Sequence, residues 1–238
     1  MIYEYESRVR YSEVDDHGEM TLFALMNVMQ DCCTFHGEEC GIGLAWNMER
    51  GCAWIIANLQ LKIDRYPRYA EYIRVITWAP SFRGIIGRRN FRVEYPDGTR
   101  IAEGTSEWLY MDMVHLAPLR IPKEQGAYGL HPEKELTVET GKRKIFLPEN
   151  MQEESPLTIR KYHIDTNNHV NNAQYIRISS YSLPAGFKPL GMRVEFKKPA
   201  LLGDVMIPST APVSDGNGYF VCLADTEGAA YFTAEYTS

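Results

Sequence analysis

A chain of 238 residues has room for one or two domains, each with a core of its own. A formal charge of −6 excludes broad nucleic-acid binding, which needs a basic face, and no apolar run approaches the roughly 20 residues of a membrane helix. Five cysteines without a CxxC pair, and an opening Met1-Ile2-Tyr3-Glu4-Tyr5-Glu6 unlike a signal peptide, lead to the expectation of reduced thiols in a cytoplasmic protein.

The first predicted element is a short strand, Tyr3 to Arg10, followed by a polar loop from Tyr11 to Met20. From Thr21 to about Cys40, Leu22, Leu25, Met26, Met29, Cys32, Cys33 and His36 recur at steps of three and four, one face of a helix. Thr21 can cap its start, and Gly41 and Gly43 end it. Period two then takes over: Ile55, Ala57, Leu59, Leu61 and Ile63 alternate with polar neighbours in a strand that closes near Pro67. Further strands are predicted over 71–78, 87–95 and 101–111, the last two joined by a Pro96-Asp97-Gly98 turn.

From Pro122 to Pro156 the pattern dissolves into Gly, Pro, Glu and Lys, which reads as a linker. The expected organisation is an N-terminal domain over 1–125, a linker over 126–155 and a C-terminal domain over 156–238. In the second half a strand from Leu157 to Tyr162 precedes a polar loop and a shorter helix, Asn172 to Ser182. Strands follow over 192–198, 204–209, 218–224 and 229–237, with Gly216-Asn217-Gly218 as a turn. The same order, strand, loop, helix and antiparallel strands, occurs twice. Each half is therefore expected to wrap an antiparallel sheet around one helix, an α+β fold repeated as a pair of domains.

Between Ser155 and Ala200 lie seven basic residues (Arg160, Lys161, Arg177, Lys188, Arg193, Lys197, Lys198) and two acids, Asp165 and Glu195. One basic stretch in an acidic chain suits either a docking surface for an anionic partner or plain solvation of strand and helix edges. Within it, His163 to Tyr175 reads H-I-D-T-N-N-H-V-N-N-A-Q-Y. Asn and Asp favour turns and caps, and Asn171 and Asn172 are read as caps. Asp165, Asn167 and His169 alternate, so an extended loop would present a carboxylate, an amide and an imidazole to one side. Such a set can handle a water and polarise a carbonyl, helped by the free N–H groups of the following helix. Cys32 and His36, four apart, are too few for a metal site and are read as core.

That loop resembles the Asp-x-Asn-x-His-Val-Asn-Asn motif of the acyl-acyl carrier protein thioesterases of plants and bacteria. Asp165, Asn167, His169, Val170, Asn171 and Asn172 match it position by position. Arg10, Glu13, Leu25, Met26, Asn27 and Gln30 fit the family's first loop and helix, and Leu59 to Pro67, Thr77-Trp78, Arg88-Arg89 and Ala102 to Trp108 fit later blocks. The resemblance implies two tandem hot-dog domains and hydrolysis of a fatty acyl thioester, with no cofactor or metal. The implied partner is acyl carrier protein bearing a 4'-phosphopantetheine-linked acyl chain, with no nucleic acid or membrane; a monomer is feasible, and a homodimer is the alternative.

The resemblance assigns catalysis to Asp165, Asn167 and His169. It further implies a downstream Glu or Cys: Glu195 matches the first Glu of the family's run, whereas Pro199 and Ala200 stand at the later Glu and Cys. Glu195 is accordingly a catalytic candidate or a partner of Lys197. Leu25, Met26 and Met29 would face the acyl tail or fill the core, and Arg177, Arg193, Lys197 and Lys198 would receive the acidic carrier. Three other readings stay open: an acyl-CoA thioesterase on the same fold, a hydratase or dehydratase (whose His usually follows its Asp by five rather than four), and a non-catalytic acyl-binding protein.

Overall fold

The computed structural model describes residues 1–136, 138, 144–214 and 216–238. The chain divides into two compact units, Met1–Glu139 and Thr140–Ser238. In the first, β1 (Tyr3–Arg8), α1 (Leu22–Glu39), a short α2 (Leu44–Glu49), β2 (Cys52–Ile63), β3 (Tyr72–Trp78), β4 (Phe82–Arg83), β5 (Ile86–Glu94), β6 (Arg100–Asp112) and β7 (Ala117–Pro118) succeed one another. Its antiparallel sheet has the order β1-β3-β5-β6-β2, with β4 on β5 and β7 on β6. The second unit contains β8 (Gln152–Glu153), β9 (Leu157–Thr158), α3 (Asn172–Tyr181), β10 (Gly191–Phe196), β11 (Val205–Pro212), β12 (Gly218–Ala224) and β13 (Ala230–Thr237). Its sheet runs β10-β13-β12-β11-β8, again antiparallel, with β9 also on β11. No described helix is long and apolar enough to cross a membrane.

Each helix lies on its sheet by the stripe that the spacing predicts. Leu25, Met29, Cys32 and Cys33 of α1 are buried, and Cys32 Sγ donates to the Val75 carbonyl at 3.4 Å. Thr21 Oγ1 accepts from Ala24 N–H at 3.1 Å, and the chain leaves the helix through Gly41 at φ 70°. In the second unit Tyr175 and Ile176 of α3 are buried, and the Tyr175 ring stacks on Phe232 of β13.

Two expectations change. In β2 the pairing slips between Ile56 and Asn58, so Ala57 is an extra residue in the ladder. The bulge reverses the parity, and Ile56 rather than Ile55 is buried upstream of it, while Leu59, Leu61 and Ile63 keep their inward side. The stretch expected as a linker is partly structured on the first unit. His131 N–H donates to the Ala79 carbonyl, Trp78 Nε1 donates to the Lys134 carbonyl, and Tyr128 is buried against Ile42 and Ala79. A few anchoring groups fix this segment without any hydrophobic period, so composition alone does not reveal it. Positions 137 and 139–143 of the same stretch lie outside the described residues.

A buried polar cluster sits under α1. Arg89 Nη1 donates to His36 Nδ1 at 3.0 Å and to Thr77 Oγ1 at 3.2 Å, while Tyr3 stacks on the imidazole. Burial, then the Arg89 charge, then the Met1 amine and His131, lower the His36 pKa to about 3. An unfolded His titrates near 6.5, so below that pH the unfolded chain takes up a proton that the folded chain refuses. Stability is therefore complete above about pH 6.5 and falls by up to about 1.4 kcal/mol per unit as pH drops toward the folded value. Thermal melts from about pH 7 to about pH 5 should show this acid-side loss. His36→Asn keeps an acceptor for Arg89 and does not titrate, so its melting temperature should depend less on pH.

Candidate active site

The proposed catalytic loop is a tight hairpin built on backbone hydrogen bonds. Ile164 and Val170 form an antiparallel bridge, Asp165 N–H donates to the His169 carbonyl at 2.8 Å, and Asn168 N–H donates to the Asp165 carbonyl at 3.1 Å. Asn168 turns the chain at φ 60°, a left-handed conformation that Asn tolerates better than most residues. Asp165 Oδ1 accepts from Asn167 N–H at 2.8 Å, which closes an Asx turn. Past the hairpin, Val170 N–H donates to the Ala200 carbonyl at 3.0 Å and Asn171 N–H to the His163 carbonyl at 2.8 Å. Asn171 Oδ1 then caps α3 by accepting from Ala173 N–H at 2.9 Å.

This geometry corrects the extended-loop expectation. Asp165 and His169 are brought together as facing residues of a hairpin rather than as alternate residues of a strand, and Asn167 sits in the turn between them. All three are half-buried. Among the described residues, the Asn167 carboxamide, the His169 imidazole and Asp165 Oδ2 have no hydrogen-bond partner, so they are available to a bound molecule.

The first unit contains the same hairpin 150 positions earlier, from Arg10 to Thr21. Val14 bridges Met20, Asp15 N–H donates to the Glu19 carbonyl, Gly18 N–H donates to the Asp15 carbonyl and Gly18 adopts φ 72°. Asp15 Oδ1 accepts from His17 N–H at 2.9 Å, and Thr21 caps α1 as Asn171 caps α3. The aspartate, the left-handed residue and the cap are thus requirements of the turn itself. Beyond the shared aspartate the turn residues differ: Thr166 stands for Asp16, Asn167 for His17, Asn168 for Gly18 and His169 for Glu19.

His163 anchors the hairpin's base. It is buried, its Nδ1 accepts from Arg160 N–H at 3.0 Å, and its pKa is lowered by burial and then by the Arg177 charge. With Nδ1 accepting, the ring carries its proton on Nε2. Glu13 occupies the same place in the first unit, its Oε2 accepting from Arg10 N–H at 2.7 Å.

The remaining candidates are placed differently. Val194 and Phe196 of β10 face α3, where Phe196 meets the Tyr175 ring edge-on, so Glu195 points to the opposite side of the sheet. There its carboxylate accepts from Lys197 Nζ and from Thr233 Oγ1, the latter at 3.4 Å. The structure does not bring Glu195 to the hairpin, and strand alternation is the reason. Cys222 lies buried on β12 with its thiol pushed up by burial, an environment that disfavours a thiolate nucleophile.

The four cations expected to dock a carrier are all engaged by neighbouring groups. Arg193 pairs with Glu235, Lys197 with Glu195, and Lys198 with Asp225. Arg177 lies exposed on α3 and its Nε donates to Tyr181 Oη at 3.2 Å. Arg160 and Lys161, at the base of the hairpin, are exposed too. Leu25, Met26 and Met29 are all buried in the core of the first unit. Among the described residues no group of three or more His, Cys, Asp or Glu could hold a metal.

A family model described as the acyl-ACP thioesterase N-terminal domain matches residues 1–128, and one for the C-terminal domain of the same family matches residues 148–230. The chain belongs to the acyl-ACP thioesterase family. Among curated relatives, the chloroplastic palmitoyl-acyl carrier protein thioesterase of Arabidopsis thaliana is 23% identical over 95% of this chain. The chain spans 59% of that relative's length. The crystal structure of an acyl-ACP thioesterase from Bacteroides thetaiotaomicron superposes with a TM-score of 0.87 at 22% identity, covering 99% of this chain and 97% of that one. The 12:0-ACP thioesterase from Umbellularia californica gives 0.85 at 20% identity, covering 99% and 96%. At these identities the likeness shows the fold, which is α+β of hot-dog type.

For a member of the acyl-ACP thioesterase family, the sequence reading missed His163 and the Ala200 peptide, both of which hold the hairpin. The signal was available. Setting the two halves side by side aligns Arg10 with Arg160, Glu13 with His163, Asp15 with Asp165 and Thr21 with Asn171, which separates frame residues from those free to do chemistry.

Proposed function

We propose that the chain hydrolyses the thioester of fatty acyl-acyl carrier protein and releases the free fatty acid. The observation that carries this reading is the second hairpin. It repeats the backbone frame of the first and carries, at 167 and 169, an amide and an imidazole that no group among the described residues engages. Water held by Asp165 Oδ2 attacks the thioester carbonyl, whose oxygen receives a hydrogen bond from Asn167 Nδ2. Asp165 takes a proton from that water, and His169, facing it, relays the proton to the departing sulfur as the C–S bond breaks, leaving a carboxylic acid and the carrier's thiol. Arg160, Lys161 and Arg177 beside the hairpin offer the positive field that an acidic, phosphate-bearing carrier needs.

The test measures fatty acid release from acyl carrier protein and from a short acyl thioester across ionic strength. Turnover of the carrier substrate should fall with salt while that of the short thioester stays level. Arg160→Ala with Lys161→Ala should lower kcat/KM for the carrier about tenfold at low salt and leave the short thioester unaffected. Equal salt dependence for both substrates removes the carrier from the proposal, a preference for acyl-CoA favours the CoA enzyme, and no release from any acyl thioester leaves only an acyl-binding protein.

A further inference from the structure

We propose that Tyr175 is a positioning residue for this hydrolysis: through the Ala200 peptide, its hydroxyl ties the hairpin that carries His169 to α3. The inference rests on the functional reading above. Tyr175 is 3% exposed and Ala200 is fully buried. Ala200 N–H donates to Tyr175 Oη at 2.8 Å, and the carbonyl of the same residue accepts from Val170 N–H at 3.0 Å, the residue next to His169. A single residue thus connects helix and hairpin. The Tyr175 ring cannot drift, because Phe232 stacks on it and Phe196 meets its edge.

The first unit supplies an internal comparison. There Met20 N–H donates to the Pro67 carbonyl at 2.7 Å, the counterpart of Val170 on Ala200. Proline has no N–H to offer, and the fourth residue of α1 is Leu25 where the fourth residue of α3 is Tyr175. Both halves of the tie are absent together from the first hairpin, which carries His17 and Glu19 at the places of Asn167 and His169, and the first unit folds without them. Folding therefore does not require a hydroxyl at this place in the repeat. Burial above all, with smaller contributions from Tyr231, Asp165 and Asp204, keeps the Tyr175 phenol protonated. The hydroxyl is thus an acceptor for Ala200 that keeps its own proton.

Two variants separate positioning from stability. Tyr175→Phe keeps the ring and leaves Ala200 N–H buried without a partner, so it should lose both melting temperature and rate. Tyr175→Phe combined with Ala200→Pro removes donor and acceptor together, as the first unit does, and retains the carbonyl that Val170 uses. In the double variant the melting temperature should recover most of what Tyr175→Phe loses. Its kcat should stay about tenfold or more below wild type with KM within about twofold, the pattern of a misplaced catalytic group rather than weakened binding. Recovery of kcat along with melting temperature in the double variant, or wild-type kcat in Tyr175→Phe, overturns the proposal by making the bond merely structural. A wild-type chain that hydrolyses no acyl thioester overturns the functional reading itself, and does so before any variant is compared.

Discussion

His169→Ala and Asp165→Asn are each expected to lower acyl-thioester hydrolysis by about 10²–10⁴-fold while leaving the fold intact, as read by circular dichroism and thermal melting. The choice of substitutions follows from the hairpin. Asp165 Oδ1 closes the turn by accepting from Asn167 N–H, and an asparagine oxygen does the same, so Asp165→Asn removes charge without removing the turn. Asp165→Ala would do both and would not discriminate. His169 contributes its backbone carbonyl to the frame, which survives His169→Ala. Asp15→Asn is the control, because Asp15 makes the same turn in the hairpin that has His17 and Glu19 at the places of Asn167 and His169. It should leave hydrolysis at wild-type rate. Full activity in both folded variants of the second hairpin would end the assignment.

The fold was legible because its signals are local and redundant. The α1 stripe from Leu22 to His36, the Thr21 cap and the Pro96-Asp97-Gly98 turn each report a different physical requirement, and they agree. Short elements carried too little pattern. α2 spans six residues, β8 and β9 two each, and such segments are fixed by pairing with neighbours rather than by their own periodicity. The β2 bulge is hidden for a similar reason, since an extra alanine between apolar residues leaves the composition of the strand unchanged.

At the site, residue identity was legible and geometry was not. Asp165, Asn167 and His169 stand out because polar residues crowd before a helix, yet alternation suggested a strand where the chain makes a hairpin. The left-handed Asn168 decides between the two, and its role is visible only beside Gly18 in the first half. Charge was the least legible feature. A count of seven basic residues says nothing of which face acids across the sheet, and in β10 the partner is set by register: Arg193 lies opposite Glu235. Reading a cation as a docking group requires knowing its neighbour on the next strand.

Arg193→Ala is therefore expected to act on stability and not on carrier docking. Arg193 and Glu235 are 11% and 13% exposed, and Arg193 Nε donates to Glu235 Oε2 at 3.0 Å, so the pair is largely withdrawn from water. Removing the guanidinium strands a largely desolvated carboxylate, which should cost about 2–3 kcal/mol in denaturant unfolding. Replacing both residues by leucine removes the two desolvation costs along with the attraction, and should recover much of that loss. If Arg193 instead served the carrier, Arg193→Ala would lower kcat/KM for acyl carrier protein at low salt with an unchanged unfolding midpoint. The two outcomes do not overlap, and the first assigns the anionic-partner surface to the cations at the hairpin's base rather than to the strand.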